Sequence, residues 1–240
     1  MKLHRFLALR GSLVRLSLVA AVIAVPALGR SAVTAVGAAS VTVESASHSS
    51  AASSAWNLAN WDAAALGDID WQVFSTAFES AAAAVGRGDA VAPATLTVID
   101  FTRPSTQKRM WVFDLRSHAL LFDEWVSHGR GSGQAMATSF SNEPETNKSS
   151  LGLFRTGEAY MGKNGYSLRL DGLEPGINDR ARERAIVMHG APYVNVAVAR
   201  VQGYLGRSLG CPAVRPEVAR PLIDAVKGGS LLFAYGVASR

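Results

Sequence analysis

The sequence is almost without cysteine: Cys211 is the single one among 240 residues. One thiol cannot form a disulfide within the chain, so the folded part must be held together by its apolar core. Hydrophobic residues make up 48% of the chain, which is enough to build such a core. A free thiol is prone to oxidation, which favours a chemical role for Cys211 over a buried, inert one.

The sequence also lacks the patterns of several common functional classes. It has no internal repeat, no glycine-rich loop with a lysine to hold phosphates, and no pair of Cys/His clusters with metal-site spacing. We therefore expect neither a metal ion nor another cofactor. No motif identifies a protein partner.

An excess of positive charge is found only at the N-terminus. Five of the 24 basic residues precede the first acidic residue, Glu44, which leaves 19 basic and 19 acidic residues in the rest of the chain. A chain with balanced charge has no net electrostatic attraction to nucleic acid. Nucleic-acid binding is therefore not expected.

Residues 1–35 have the order of a secretory signal peptide: basic residues, an apolar run from Leu16 to Leu28, and then small residues. The run is shorter than the roughly 20 residues of a membrane-spanning helix. Pro26 and Gly29 also interrupt its end. The sequence thus predicts export to the periplasm or cell envelope, with no membrane span left after cleavage. An uncleaved membrane anchor is the alternative.

The rest of the chain is predicted to hold a flexible Ala/Ser-rich linker at residues 36–60 and one folded domain at residues 61–240. Helical spacing of apolar residues predicts a helix over residues 70–85. A second, short helix is expected at residues 216–227, with Pro221 restricting it to its first turns. Period-two patterns and short apolar runs predict strands at residues 96–101, 110–115, 120–126, 166–170, 184–189 and 231–235.

These elements predict a mainly β fold. We expect a single domain built on a mixed sheet or sandwich, with an N-terminal helix and a short helix after the cysteine. The first three strands, joined by short turns, are expected to form a meander.

Two segments of the chain contain a cysteine and a histidine that are candidates for a catalytic pair. Cys211 lies in a turn with glycine and arginine neighbours, and His189 ends an apolar run at residues 185–188. A neighbouring imidazole can take the proton of a thiol and so create a nucleophile. The N–H groups of Gly210 and Cys211 are candidate donors to an oxyanion. The alternative for His189 is a core histidine with satisfied hydrogen bonds.

Other polar residues surround this pair in the sequence. His128 opens a glycine-rich loop that permits close approach of a ligand, and we expect it to line the site. Arg207 and Arg215 flank the cysteine and are candidates for pairing with substrate carboxylates.

Six motifs follow one another in the second half of the chain. They are HGRGSG at residues 128–133, FSN at 140–142, SSLG at 149–152, YSLRLDGL at 166–173, HGAPYV at 189–194 and GRSLGCPA at 206–213. Together they resemble the murein L,D-transpeptidase catalytic domain family, a divergent branch of the YkuD-type L,D-transpeptidases. The resemblance extends from about residue 69 to residue 235, and it implies an L,D-transpeptidase-like β domain that acts on peptidoglycan stem peptides.

The resemblance also implies a mechanism. Cys211 attacks the amide between the L-centre of a diamino acid and a terminal D-alanine, which releases D-alanine and leaves a thioester. His189 acts as the base, and the carbonyl of Gly190 orients its ring. The thioester then passes to an amine of another stem, as in a transpeptidase, or to water, as in a carboxypeptidase or crosslink-cleaving endopeptidase. A non-catalytic wall-binding protein is a third reading, because Leu209 stands where the family usually has histidine.

The motifs and flanking residues together give a set of candidate substrate-binding residues. For Asn142, hydrogen bonding within a turn is the alternative role, and for Arg207 and Arg215 it is a solvated position on the surface. The candidates are His128, Asn142, Tyr193, Arg207, Ser208 and Arg215.

Overall fold

The computed structural model describes residues 56–238. The predicted signal peptide and residues 36–55 of the predicted linker lie outside these residues. The five described linker residues belong to the packed domain: Leu58–Asn60 forms a turn of 3-10 helix, and the ring centroids of Trp56 and Phe78 lie 5.0 Å apart. The packed region therefore extends to Trp56, beyond the predicted boundary at residue 61.

The centre of the domain is a mixed sheet of eight strands. They are β1 (Thr95–Asp100), β2 (Met110–Asp114), β3 (Leu120–Glu124), β4 (Gly152–Gly162), β5 (Gly165–Gly172), β6 (Val187–Gly190), β7 (Ala213–Val214) and β8 (Leu231–Tyr235). Their order in the sheet is β3-β2-β1-β8-β4-β5-β6-β7. Strands β1 and β8 pair in parallel, as do β6 and β7, and the other neighbours are antiparallel. The first three strands form the predicted meander.

Helix α1 (Trp71–Arg87) covers one face of this sheet, as its apolar spacing predicts. The Asp70 carboxylate caps its first turn, and Gly88 ends it in the left-handed conformation with φ of 82°. Each large apolar side chain buried here contributes about 1.5–3 kcal/mol relative to exposure. This core consists mainly of α1 residues packed on side chains of β1, β2 and β8, among them Phe74, Phe78, Leu96, Val98, Trp111, Phe113 and Phe233.

Helix α3 (Pro216–Val226) covers the opposite face and continues through Pro221, so the expectation that this proline restricts it to its first turns is wrong. Pro221 lies on the exposed side, where the Glu217 carbonyl that loses its donor can be hydrated. The buried side of α3 stabilises the whole length of the helix. That side consists of Ala219, Leu222, Ile223 and Val226, which pack in one cluster with Ile99, Met110, Leu168 and Met188.

Three elements were not predicted: the long strand β4, helix α2 (Val196–Gln202) and the two-residue strand β7. Strand β6 is also shorter than predicted, because Ala185 has a positive φ of 53° and cannot extend the strand. The mainly β fold class, the N-terminal helix and the helix after the cysteine are confirmed. Within residues 56–238, no helix is long and apolar enough to cross a membrane.

Candidate active site

The parallel pairing of β6 and β7 places Cys211 next to the strand that carries His189. His189 pairs with Ala213, and continuing that register back by two residues sets Cys211 beside Val187. The N–H of Val187 donates to the Cys211 Sγ at 3.5 Å, and the thiol donates to the Ala185 carbonyl at 3.7 Å. The thiol is therefore held against the start of β6, with only 8% of the residue exposed.

The His189 ring is oriented by the backbone of its neighbour. Its Nδ1 lies 3.0 Å from the Gly190 carbonyl oxygen. A carbonyl can only accept, so Nδ1 carries the proton and Nε2 of the neutral ring has a free lone pair. Gly190 cannot be larger here, because a Cβ would lie 2.8 Å from that of Ala219 in α3. The ring is thus in the tautomer that a general base at Nε2 requires.

Burial keeps both reactive groups uncharged in the resting structure. It raises the pKa of the Cys211 thiol, against the opposing effects of the Val187 N–H and the Arg184 charge. It lowers the pKa of His189, against the effect of the Gly190 carbonyl. Among the described residues the thiol has no hydrogen bond to His189, so proton transfer requires rotation of the Cys211 side chain or a bridging water. The pair is suited to general-base activation during attack rather than to a resting ion pair.

Tyr193 lies close to both members of the pair. Its ring meets that of His189 edge to face, with centroids 6.5 Å apart. Burial and the negative charge of the Cys211 thiolate raise the pKa of Tyr193 to about 12. The residue is 37% exposed, and the raised pKa keeps its hydroxyl protonated. Among the candidate substrate-binding residues, Tyr193 is the one that the structure places in contact with His189.

Ser208 stabilises the turn that contains Cys211. Its Oγ accepts from the Gly210 N–H at 3.1 Å and donates to the Cys211 carbonyl at 2.7 Å, and the residue is buried. The Gly210 N–H, a predicted oxyanion donor, is therefore already engaged in this conformation. The Cys211 N–H faces its own sulfur and lowers the pKa of the thiol.

A second serine fixes the direction of that N–H. The Ser149 Oγ donates to the Gly210 carbonyl at 3.1 Å. The carbonyl of Gly210 and the N–H of Cys211 belong to one planar trans peptide, so holding one sets the direction of the other. Ser149 thereby positions the Cys211 N–H.

His128 does not line the site as expected, because its ring is completely buried. Its Nδ1 lies 2.7 Å from Nη2 of Arg109, and its Nε2 lies 3.4 Å from the Gly133 carbonyl oxygen. Burial and the Arg109 charge lower the pKa of His128 to about 3. Its own carbonyl accepts from the N–H of Ser208 at 3.0 Å. The structure therefore gives His128 a supporting position behind the cysteine turn.

Three further candidates have partners within the protein. Asn142 donates to Asp179 at 2.7 Å and accepts from the N–H of Arg180. Arg207 donates to the Gly133 carbonyl at 2.9 Å. The third is Arg215, whose charge is balanced by two carboxylates, those of Glu124 at 2.8 Å and Glu217 at 2.7 Å.

Arg184 is not among the residues that the sequence predicts for the site. Its Nη2 would lie 3.5 Å from a Cβ built on Gly210, so it stands beside the cysteine turn. It sits among the exposed residues Arg182, Glu183 and Ala185, and no local pattern distinguishes it from a solvated surface arginine. Its position follows from contacts with loops about 35–45 residues away in sequence.

No group of three or more His, Cys, Asp and Glu side chains in the described part of the chain is arranged to hold a metal ion. The chemistry available at this site is that of a buried thiol, an oriented imidazole and the backbone N–H of Cys211. These are the kinds of group that acyl transfer through a thioester uses.

Comparison with known families identifies the family of this chain. The sequence model for the L,D-transpeptidase catalytic domain matches residues 66–235, which is more than half of the chain. The chain therefore belongs to the L,D-transpeptidase catalytic domain family, as the six motifs predicted. No curated protein matches the chain in sequence.

Several solved structures are similar to this chain at low identity. They include an L,D-transpeptidase from Mycobacterium smegmatis, with 16% identity over 60% of this chain and 59% of that chain and a TM-score of 0.37. Another is the helical cell shape determining protein Pgp2 from Campylobacter jejuni, with 12% identity, 62% and 49% coverage and a TM-score of 0.41. An L,D-transpeptidase from Stackebrandtia nassauensis has 12% identity, 67% coverage of each chain and a TM-score of 0.37. The match spans about six tenths of the M. smegmatis protein.

Proposed function

We propose that this protein is an exported cysteine acyltransferase that acts on peptidoglycan stem peptides as an L,D-transpeptidase. The observation that carries the proposal is the pairing of β6 with β7, which sets the Cys211 thiol beside the strand of His189. Membership of the family supports the peptidoglycan substrate. No cofactor is needed for this chemistry.

In the first half of the reaction, His189 Nε2 takes the thiol proton as Cys211 Sγ attacks the carbonyl carbon between the diamino acid and D-alanine. The tetrahedral oxyanion accepts from the N–H of Cys211, whose direction is set by Ser149. Collapse breaks the C–N bond, and His189 returns the proton to the leaving amine. The products are free D-alanine and a thioester on Cys211.

In the second half, an amine of another stem attacks the thioester and gives its proton to His189. The C–S bond breaks, the thiolate is protonated, and a crosslink between two stems remains. Water in place of the amine would release a shortened stem, as in an L,D-carboxypeptidase, and attack on an existing crosslink would make the protein an endopeptidase.

Mass spectrometry of the purified protein with disaccharide-tetrapeptides tests the proposal, with Cys211→Ala and His189→Ala run beside it. His118→Ala, in the turn between β2 and β3, is the control for loss of a histidine. We expect dimers joined between diamino acids from the wild type and the control, and none from the other two variants. Loss of D-alanine without dimers would identify a carboxypeptidase. No product from wild type, with supplied crosslinked dimers also intact, would reject catalysis and favour wall binding.

Export is a separate part of the proposal, supported by the order of basic, apolar and small residues at the N-terminus. N-terminal sequencing of protein recovered from cells is expected to give a chain that begins near residue 36. Recovery of a chain that still begins at Met1 would contradict cleavage and favour a retained anchor.

A further inference from the structure

Arg184 is a cation whose hydrogen-bond acceptors are all neutral. Its Nη1 donates to the Ser141 carbonyl and the Ser150 Oγ, and its Nη2 donates to the Lys148 carbonyl, each at 2.6 Å. The side chain is half-buried. None of these partners cancels the positive charge of the guanidinium.

The neighbouring arginines are different. Arg180 pairs with Glu143 and Glu183, and Arg182 pairs with Asp171 and Glu158. Glu143 also interacts electrostatically with Arg184, but its carboxylate is bound by Arg180. The charges of Arg180 and Arg182 are thus balanced, whereas Arg184 has no ion pair with a carboxylate within residues 56–238.

The charge of Arg184 lies close to the turn that contains Cys211. Its Nη2 lies beside Gly210, and the next residue, Ala185, supplies the carbonyl that accepts from the Cys211 thiol. The charge is near enough to oppose the rise that burial causes in the pKa of the thiol. An anion bound to Arg184 would therefore lie next to the cysteine turn.

Arg184 also has hydrogen-bond donors left over. A guanidinium has five N–H donors, and the described acceptors use three of them. Within residues 56–238 the Nε–H has no acceptor, and Nη2, which carries two hydrogens, has one acceptor. Nε and Nη2 share one edge of the planar guanidinium, and such an edge can bind the two oxygens of a carboxylate.

We propose that Arg184 is an anion-binding residue that holds a carboxylate of the substrate beside Cys211. This assignment rests on the proposed function for the identity of the substrate. A donor stem that ends in D-alanine has its free carboxylate one residue from the amide that Cys211 attacks, so the terminal carboxylate is the group that Arg184 binds.

The single cysteine of the chain makes a direct test possible, because alkylation of the intact protein reports Cys211 alone. The rates of alkylation by anionic iodoacetate and neutral iodoacetamide are measured by mass spectrometry, and their ratio is taken. Burial slows both reagents, whereas a local positive charge favours iodoacetate. We expect the ratio in folded protein to exceed that in urea-unfolded protein by about five- to tenfold.

Variants assign this preference to one residue. Arg184→Gln is expected to bring the ratio close to that of the unfolded chain, and Arg184→Lys to retain much of it. Arg182→Gln is the matched control, two positions away and paired with carboxylates, and should leave the ratio unchanged. A wild-type ratio equal to that of the unfolded chain overturns the proposal without the need for any variant. So does an Arg184→Gln ratio equal to that of wild type.

A second measurement separates this inference from the proposed function. Stem tetrapeptides with a terminal D-alanine carboxylate or carboxamide are compared as substrates. Arg184→Gln should lower kcat/KM about tenfold for the carboxylate form and little for the carboxamide. An equal loss for both forms overturns the assignment of the carboxylate. If wild type consumes neither form but shows the iodoacetate preference, the proposed function fails while the anion site stands.

Discussion

Two His-Gly pairs, at 128–129 and 189–190, stand close to the cysteine turn and have different environments. Both histidines are buried, and burial lowers the pKa of each. His128 has a protein partner at both ring nitrogens, whereas the hydrogen bond of His189 is at Nδ1 and goes to the adjacent Gly190 carbonyl. The His128 ring is therefore held at both nitrogens, whereas Nε2 of His189 has a lone pair that can accept a proton.

The comparison teaches that the dipeptide alone does not identify a base. What distinguishes the two rings is the buried Arg109, which donates to Nδ1 of His128 and holds that ring neutral. At His189 the Gly190 carbonyl accepts from Nδ1, so this ring carries its proton on Nδ1. In His128 the Nδ1 accepts from Arg109, so that ring carries its proton on Nε2.

The largest difference is expected in activity. His189→Ala should lower the rate of D-alanine release by about 10²- to 10⁴-fold, the usual contribution of a general base. His128→Ala should lower it less than about tenfold per folded molecule, because that ring does not reach a reacting atom. Rates from tetrapeptide substrate, corrected for the folded fraction by circular dichroism, decide the matter. Equal losses in the two variants would contradict the assigned roles.

Stability should show the reverse order. His128→Ala leaves a cavity and removes a partner of the buried Arg109, so we expect a loss of about 3 kcal/mol in the free energy of unfolding. His189→Ala should cost about 1 kcal/mol, since it leaves no buried charge without a partner. Urea denaturation of both variants measures this. A His128→Ala variant as stable as wild type would show that Arg109 does not depend on the ring.

The difference in the pH dependence of stability between wild type and His128→Leu isolates the protonation of His128, because burial also lowers the pKa of His189. Its pKa falls from 6.5 to about 3 in the folded protein, so between these values the unfolded chain binds more protons than the folded one. The low pKa of His128 therefore contributes to the free energy of unfolding. This contribution is complete above pH 6.5 and is lost at about 1.4 kcal/mol for each pH unit as the pH falls toward 3. Denaturation curves at pH 7, 6 and 5 should show this loss in wild type. The same slope in His128→Leu would assign it to other groups.

The smallest effect is expected at Ser149, which connects the loop of Gly129 to the cysteine turn at Gly210. Its Oγ accepts from the N–H of Gly129 at 3.0 Å and donates to the Gly210 carbonyl at 3.1 Å. Ser149→Ala should cost about 1 kcal/mol in stability. It should also lower kcat more than KM changes, because the Cys211 N–H loses its fixed direction. A change in KM alone would place Ser149 in substrate binding instead.

Much of the fold could be predicted because its elements carry a clear period. Helix α1 and strands β1, β2, β3 and β8 follow their apolar patterns closely. Strand β4 was not predicted because its second half is only partly buried and begins with Gly157, so no apolar alternation is visible in the sequence. Helix α2 was missed because its valines favour strands. Its helical form depends on the Asn195 cap and on Gly203, which ends it with φ of 86°.

The candidate site was predictable to a smaller extent. Cys211 and His189 stand out by residue type and by their neighbours, and the sheet brings them together. The burial of His128 depends on Arg109, which lies 19 residues away and carries no sequence signal of its own. Arg184 differs from the other arginines because the groups that accept its hydrogen bonds are neutral. These groups are known only from the three-dimensional contacts.

The segment that follows β3 runs to the far end of the strand order, where Ser127 pairs with Ala213 of β7 and its N–H donates to the Ala213 carbonyl at 2.8 Å. The outer edge of β7, next to the nucleophile, is thus already occupied by the protein's own chain. Unpaired strand edges are templates on which other molecules add strands and aggregate. Closure at β7 removes that hazard beside the reactive thiol, in a domain that has no disulfide to hold such an edge shut.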